Sequence, residues 1–520
     1  MVNEKIYLNT RFMGEQPGQY GPGGFYPVYL GDVLGDRYQV FRKLGSGSQC
    51  TVWLARDKRA TLRHFVAVKV YSAKLSSATS EIIKSLQPLS HQGKKHAEVP
   101  VDSFTIHGSS GDHFCAVLEP LDSTLIGIVN EAYNKRDDLD EQTHHQQRAL
   151  KADPWSAVFA KRACWQILMA LDYLHKCRIA HRDIRPSNIC FALDYDLSAL
   201  GENDIQKSVW PEKPKEVDQD QTRTAAVLEI NNDTSSDESS DLEDDPPEQW
   251  ELDWKECERR TAEQWQSYET GDSTAEPHSD EWNKANFFNS RNTIELLQRK
   301  DSKPLKPDET QYTVAPTPLS RGFDLKKVTD PEHNQTFRLV LTDLGFACPF
   351  EECEEHPTPC VSDYIAPEGM LGLPYTHKAD VFALGLCFWE VVMLRGLVEG
   401  HIQPHDPGYA RLKSQQLHGL ARRLGPFPAA LRAQWRDADS FVDPKGNALY
   451  LGEQEKEYYG EDDDFPEGDI WHHARRRKPL DMSDKDMEAF VRLLQKMLQW
   501  QPELRPSTTE LLQDEWFSGM

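Results

Sequence analysis

The stretch His181-Arg182-Asp183-Ile184-Arg185-Pro186-Ser187-Asn188, HRDIRPSN, decides how this chain is read. Asp183 has the setting of a base that takes or orients a hydroxyl proton, and Asn188 that of a metal ligand. An Asx-rich surface turn is a poor account of eight residues at this spacing. A pair of this kind needs a second metal-binding acid on a strand just downstream. The residues that follow, CFALDYDLSALGENDIQK, contain none. The missing acid is Asp343. It ends the apolar run Phe337-Arg338-Leu339-Val340-Leu341-Thr342 and is followed by Leu344-Gly345.

What separates the two halves is an insert. Residues 201–330 turn acidic and Ser-rich, as in NNDTSSDESSDLEDDPPEQ, and too poor in apolar residues to form a core, so disorder is expected. Roughly 15 units of the net charge of −25 fall in residues 201–300. That local charge argues against general nucleic-acid binding by this segment and is compatible with basic partners. Within the insert, Trp250, Trp254 and Trp265 are candidates for one helix face. The Thr234-Ser235-Ser236-Asp237-Glu238 run is an acidic context of the kind that acidophilic kinases modify.

Working outward, residues 1–25 are rich in Gly, Pro and Asn and read as a flexible lead-in. Alternating apolar residues predict strands over 38–44, 50–55, 65–71 and 113–119, and a helix over 80–86. From Trp155 the spacing of Phe159, Cys164, Ile167, Leu168, Leu171 and Leu174 is helical, and 375–395 and 484–500 read the same way. The expected segments are therefore 1–37 as an extension, 38–121 as a small β lobe, 122–200 and 331–520 as a large α lobe, and 201–330 as the insert. At 520 residues the chain has room for two to four domains at about 150 residues each, or one large two-lobed domain with unstructured pieces. No run of about 18 apolar residues predicts a membrane span, and the first residues lack an apolar signal core. The ten cysteines show no disulfide framework and are expected as reduced thiols in an intracellular setting. Cys348, Cys353, His356 and Cys360 share one segment, but their spacing lacks the Cys-x-x-Cys knuckle of a zinc site.

Phosphoryl transfer needs a nucleotide held, its charge neutralised and an acceptor hydroxyl positioned. Each requirement has candidates here, in order. Leu44-Gly45-Ser46-Gly47-Ser48-Gln49-Cys50-Thr51-Val52 lies between two strands; its glycines let backbone approach phosphates, and Val52 can roof an adenine. Cys50 stands where a third glycine is usual. Ala67-Val68-Lys69 puts a lysine in mid-strand, and Glu81 on the following helix is the expected acid to hold it toward the phosphates. Leu118 is expected beside the adenine, with the backbones of Glu119 and Leu121 gripping it. Asp183 would receive the acceptor's proton, Arg185 would sit near the γ-phosphate, and Asn188 and Asp343 would bind Mg²⁺. Two residues are expected to be scaffold: Glu368 of Ala366-Pro367-Glu368, paired with Arg505, and Asp380, tethering the backbone of the 181–188 loop.

Together these residues resemble a eukaryotic protein kinase domain, over about 38–200 and 337–518. Within kinases the chain is similar to the SR-protein kinase family. The lead-in Gly23-Gly24-Phe25-Tyr26-Pro27-Val28-Tyr29-Leu30-Gly31-Asp32, the Thr51-Val52-Trp53-Leu54 stretch and Asp343-Leu344-Gly345-Phe346-Ala347-Cys348 carry the resemblance. So does the long spacer that splits the domain after the catalytic loop. The resemblance implies an α+β, two-lobed kinase fold, ATP and Mg²⁺ as cofactors, and phosphorylation of Ser in Arg-Ser-rich protein substrates in cytoplasm, nucleus or both. It implies neither a direct nucleic-acid nor a membrane partner, and a monomer is expected. The family's acidic docking groove has no counterpart at 409–428, which is basic through Arg411, Lys413, Arg422 and Arg423; the run Glu461-Asp462-Asp463-Asp464 is the candidate substitute. Basic residues 475–478 are compatible with a nuclear signal or with a solvated surface. The alternative function is a pseudokinase scaffold. Retention of Lys69, Asp183, Asn188 and Asp343 favours the enzyme.

Overall fold

The computed structural model describes residues 17–60, 64–86, 89–141, 155–194, 197, 294–296, 312–314, 326–330, 332–355, 363–398, 409–450 and 469–520. The acidic stretch and the three tryptophans of the insert lie outside them. So do His356, Cys360 and the acidic run 461–464.

The N-terminal part is a six-stranded antiparallel sheet in the order β1-β2-β3-β4-β6-β5. Its strands are β1 (Val33–Leu34), β2 (Tyr38–Ser46), β3 (Cys50–Asp57), β4 (Phe65–Tyr71), β5 (Asp102–Gly108) and β6 (Gly111–Leu118). β4 is buried along its whole length, as its unbroken apolar run with one lysine requires. Helix α1 (Ala73–Leu86) follows β4 and packs Ser76, Thr79, Ile82, Ile83 and Leu86 inward.

The lead-in is not a flexible tail from residue 17 onward. Phe25, Val28, Leu30 and Leu34 are buried. The carbonyls of Gly24 and Gly23 accept from the amides of Ala73 and Lys74, 2.9 Å each. Those amides open α1 and have no partner within the helix. A segment fixed through its backbone carries no side-chain period, so composition alone misread it.

The large lobe is built on α3 (Ala157–Lys176) and α4 (Lys378–Met393), which pack on each other. Nearly every residue of α4 is buried, Asp380 included. A helix apolar all round belongs inside a core. Trp155, Phe159, Phe191 and Phe337 join the two chain segments, with the Phe159 and Phe337 rings stacked at 4.5 Å. Helices α2 (Leu125–Glu141), α5 (Tyr409–Leu424), α6 (Ile470–Arg477) and α7 (Asp484–Met497) surround this centre.

Three short pairings bring the distant motifs together. β7 (Leu121–Thr124), β9 (Ile189–Ala192) and β12 (Leu339–Leu341) form one sheet with β9 in the middle. β9 and β12 are antiparallel, with Ile189 opposite Leu341 and Phe191 opposite Leu339. The chain therefore leaves on one strand and returns on its neighbour, so the insert is spliced between adjacent strands. β8 (Ile179–Ala180) pairs in turn with β13 (Cys348–Pro349).

Two features fall inside the span read as disordered. β10 (Ile294–Leu296) and β11 (Tyr312–Val314) pair antiparallel, and Val328 is fully buried in the main core. The second core segment thus begins before residue 331.

Candidate active site

The 181–188 loop is held from below by one buried carboxylate. Asp380 accepts from the amides of His181 (2.8 Å) and Arg182 (2.7 Å), and meets His175 Nε2 at 3.0 Å. Burial opposes its ionisation, but His175, His181 and the Arg182 amide outweigh it and hold its pKa below the usual value. Arg182 adopts φ 68°, which a non-glycine residue keeps only where its surroundings enforce it. The expected tether is therefore present.

Above the tether, Asn188 Nδ2 donates to the Asp183 carbonyl (2.9 Å) and to Asp183 Oδ2 (2.7 Å). This use of the amide nitrogen leaves Oδ1 as the atom able to face a cation. Arg185 Nε lies 3.4 Å from Asp183 Oδ2. Burial raises the Asp183 carboxyl above its ordinary value, with Arg185 and His181 pulling the other way. The Asp183 amide donates to His181 Nδ1 (3.2 Å), and His181 Nε2 lies 2.9 Å from the Thr342 carbonyl. That contact ties the loop to the residue before Asp343, 161 positions away in sequence.

Asp343 also sits at a positive φ of 68°. Its Oδ1 lies 3.3 Å from Lys69 Nζ. Burial works against its charge, yet Lys69 and His181 keep its pKa below the ordinary value. Lys69 and Asp343 thus come together as the sequence reading requires.

Glu81 does not join them. It is exposed on α1, and the buried partner of Lys69 is Glu98, with Nζ 3.1 Å from Oε1 and 3.3 Å from Oε2. Glu98 lies in an irregular stretch between a short turn and β5, where no helical or strand period marks it. The available signal was a lone acid among apolar neighbours, His96-Ala97-Glu98-Val99-Pro100-Val101. Burial lowers the Lys69 pKa, but Glu98, Tyr71 and Asp343 more than reverse this, leaving it well raised and the ammonium charged.

The loop expected to cover phosphates joins β2 to β3, with Gly45 opposite Val52 and Ser46 opposite Thr51. A side chain at Gly45 or Gly47 would meet nothing within 4 Å, so the loop borders open space. The Gln49 side chain turns inward against Gly345, and its buried Oε1 has no hydrogen-bond partner. A buried acceptor of this kind awaits a donor. Val52 is opposite Lys69, and Ala67 is opposite Leu118, giving an apolar wall beside the ammonium. Thr51 is buried and accepts from Trp53 Nε1 at 2.9 Å, so its hydroxyl is already engaged. The Glu119 carboxylate is taken by Arg338, at 2.7 and 2.5 Å; Leu121, which opens β7, pairs with Ala192.

Two oxygen donors, two flanking cations and a glycine loop over open space fit a nucleotide carried with a hard divalent cation. Such ions take one or two protein carboxylates plus phosphate and water oxygens.

Elsewhere, Glu368 and Arg505 form the expected buried pair, 2.6 and 2.8 Å in a two-pronged arrangement. Cys348 and Cys353 are buried thiols with their sulfurs 3.3 Å apart. The basic character of 409–428 is partly spent in packing: Arg423 is buried in α5, and burial lowers the Lys413 pKa. Among the described residues no helix is long and apolar enough to cross a membrane.

Comparison with known proteins agrees with this geometry. The protein kinase domain family matches residues 38–201 and 328–517, on either side of the insert. Protein kinase dsk1 of Schizosaccharomyces pombe is 37% identical over 191 residues, covering 35% of this chain and 31% of dsk1. SRSF protein kinase 3 of Homo sapiens is 25% identical over 97% of this chain and 90% of its own length. A serine/threonine protein kinase of Aspergillus fumigatus is 23% identical over 96% of this chain and 90% of its own. A crystallised kinase domain superposes with a TM-score of 0.50 at 16% identity, over 95% of this chain and 99% of that one, which supports the fold alone. The kinase fold implies ATP, and typically a divalent metal, as what this cleft takes. The chain belongs to the protein kinase family, as a serine/threonine kinase whose domain is split by an insert.

Proposed function

We propose that this kinase transfers the γ-phosphate of Mg-ATP to serine in Arg-Ser-rich protein segments, with Asp183, Lys69, Asn188, Asp343 and Arg185 as its working residues. The observation that carries the roles is the convergence of Lys69, Asp183, Asn188 and Asp343 from both sides of the insert on one cleft. Asp183 takes or orients the proton of the serine hydroxyl, whose oxygen attacks the γ-phosphorus as the bond to ADP breaks. Lys69, held charged, pairs with the α- and β-phosphates, and Arg185 offsets charge at the γ-phosphate. Asp343 and Asn188 Oδ1 would hold Mg²⁺, which supplies neutralisation of the phosphate oxygens when bound.

The substrate class rests on likeness to the SRSF kinases over nearly the whole chain. The burial of Arg423 removes part of the objection that α5 repels an Arg-rich segment. A cytoplasmic or nuclear setting and a monomeric state belong to the same proposal. The test is transfer of labelled phosphate to an Arg-Ser repeat and to a non-basic serine peptide. Label favouring the Arg-Ser repeat, lost in Asp183→Asn, is expected. Equal or reversed labelling would overturn the substrate class while leaving the kinase.

A further inference from the structure

The structure assigns to Glu98 a positioning role that the helix α1 would otherwise have to fill: we infer that this one carboxylate, carried outside α1, holds Lys69 and the Asp343 backbone together. The inference rests on the kinase reading above. Glu98 is 6% exposed. Its Oε1 accepts from Lys69 Nζ (3.1 Å) and the Tyr71 hydroxyl (3.3 Å), and its Oε2 from Lys69 (3.3 Å) and the Asp343 amide (3.2 Å). A buried carboxylate is tolerated only with this kind of compensation.

The backbone that carries Glu98 is itself pinned to the strand leading into Asp343. Ala97 bridges Leu341 in parallel fashion, and the Glu98 amide donates to the Leu341 carbonyl at 2.9 Å. His96 Nδ1 lies 2.9 Å from the Leu339 carbonyl, and Arg338 Nη1 donates to the Lys95 carbonyl at 2.9 Å. Residues 95–98 are thus laid along β12. The strand that aims the metal-binding acid also aims the acid that holds the lysine.

Helix α1 is located by other means. Its opening amides are met by Gly23 and Gly24, and Ser76 Oγ accepts from the Phe114 amide at 2.8 Å. Glu81 faces solvent. The acid that orients the lysine is therefore carried by the 95–98 segment along β12 and not by α1, although α1 also packs on Tyr71 through Ile83 and on the Leu344–Phe346 turn.

The experiment compares the full-length chain with Glu98→Gln, Glu98→Asp, Glu81→Gln and Asp183→Asn, measuring kcat, KM for ATP and melting temperature. Transfer by the wild type and its loss in Asp183→Asn establish the kinase reading separately. Glu98→Gln is expected to lose at least tenfold in kcat, with a smaller change in KM, and Glu98→Asp to recover part of it. Glu81→Gln is expected within twofold of wild type. A tenfold loss in folded Glu81→Gln would overturn the inference, as would full activity in Glu98→Gln. If Glu98→Gln does not fold, Glu98→Asp and Glu81→Gln decide: Glu98→Asp as active as wild type, or Glu81→Gln less active than Glu98→Asp, contradicts the assignment.

Discussion

Replacing Glu368 by Gln leaves the Arg505 guanidinium charged and buried without its counter-ion. Both side chains are essentially excluded from solvent, at 3% and 0% exposure, so water cannot screen or replace the pair. Breaking a buried pair by removing one partner costs about 3–5 kcal/mol. Arg505 keeps other contacts, to the carbonyls of Gln499 (2.9 Å), Lys378 (3.1 Å) and Trp500 (3.3 Å), and it lies over the Phe382 ring at 4.9 Å. These soften the loss, which puts the expected cost at the low end, about 3 kcal/mol. At roughly 2 °C per kcal/mol for a large domain, the melting temperature should fall by about 6 °C. Scanning fluorimetry on purified wild type and Glu368→Gln reads this directly. A double substitution, Glu368→Leu with Arg505→Met, removes both charges and should regain much of the loss, since apolar replacement of a buried pair is often neutral. Melting of Glu368→Gln within about 1 °C of wild type would refute the claim that the pair is a buried, unscreened anchor.

Asp380→Asn offers one acceptor oxygen where the loop amides of His181 and Arg182 need two, so kcat should fall at least about tenfold with KM for ATP nearly unchanged; an unaltered kcat would contradict the tether. Burial pushes His96 and His377 down to about 4 and His473 to about 3, against an ordinary 6.5. The unfolded chain binds more protons in that window, so stability should fall as pH drops from 6.5 toward 4, by up to about 1.4 kcal/mol per unit per histidine, with the largest drop in melting temperature between pH 6.5 and 4.5. The ionised form of Asp183 is the active one and burial raises its pKa, so the acid limb of kcat/KM should lie above the ordinary 3.8. Arg185→Ala removes a charge that favours ionisation and should move that limb to higher pH; a shift to lower pH would contradict the assignment.

The parts of this site that could be read from the sequence are those fixed by local geometry. HRDIRPSN sits in one tight loop, and Lys69 and Asp343 are marked by apolar strands whose burial shows in the residues themselves. Asn188 and Asp343 were linked by their shared metal chemistry, whereas the pairing of β9 with β12 that brings them together is seen only in the structure. Glu98 escaped because its place is set by backbone pairing with Leu341, more than two hundred residues on, and such pairing leaves no pattern in either segment. Helical spacing pointed instead to Glu81, which has the right distance along the chain and the wrong face. The lead-in escaped for a related reason: Gly23 and Gly24 act through carbonyls, and glycine-rich composition looks the same whether the chain is loose or docked. The basic run at 475–478 has a local account, since it ends α6, where positive charge meets the helix carbonyl end.

The central claim is that two segments separated by the insert build one phosphoryl-transfer site. The most direct measurement is transfer of labelled γ-phosphate from ATP, with divalent cation, by wild type, Asp183→Asn and Asp343→Asn, each confirmed folded by its melting temperature. The account predicts transfer by wild type and its loss in both variants, since Asp183 precedes the insert and Asp343 follows it. Undiminished transfer by folded Asp343→Asn would contradict it.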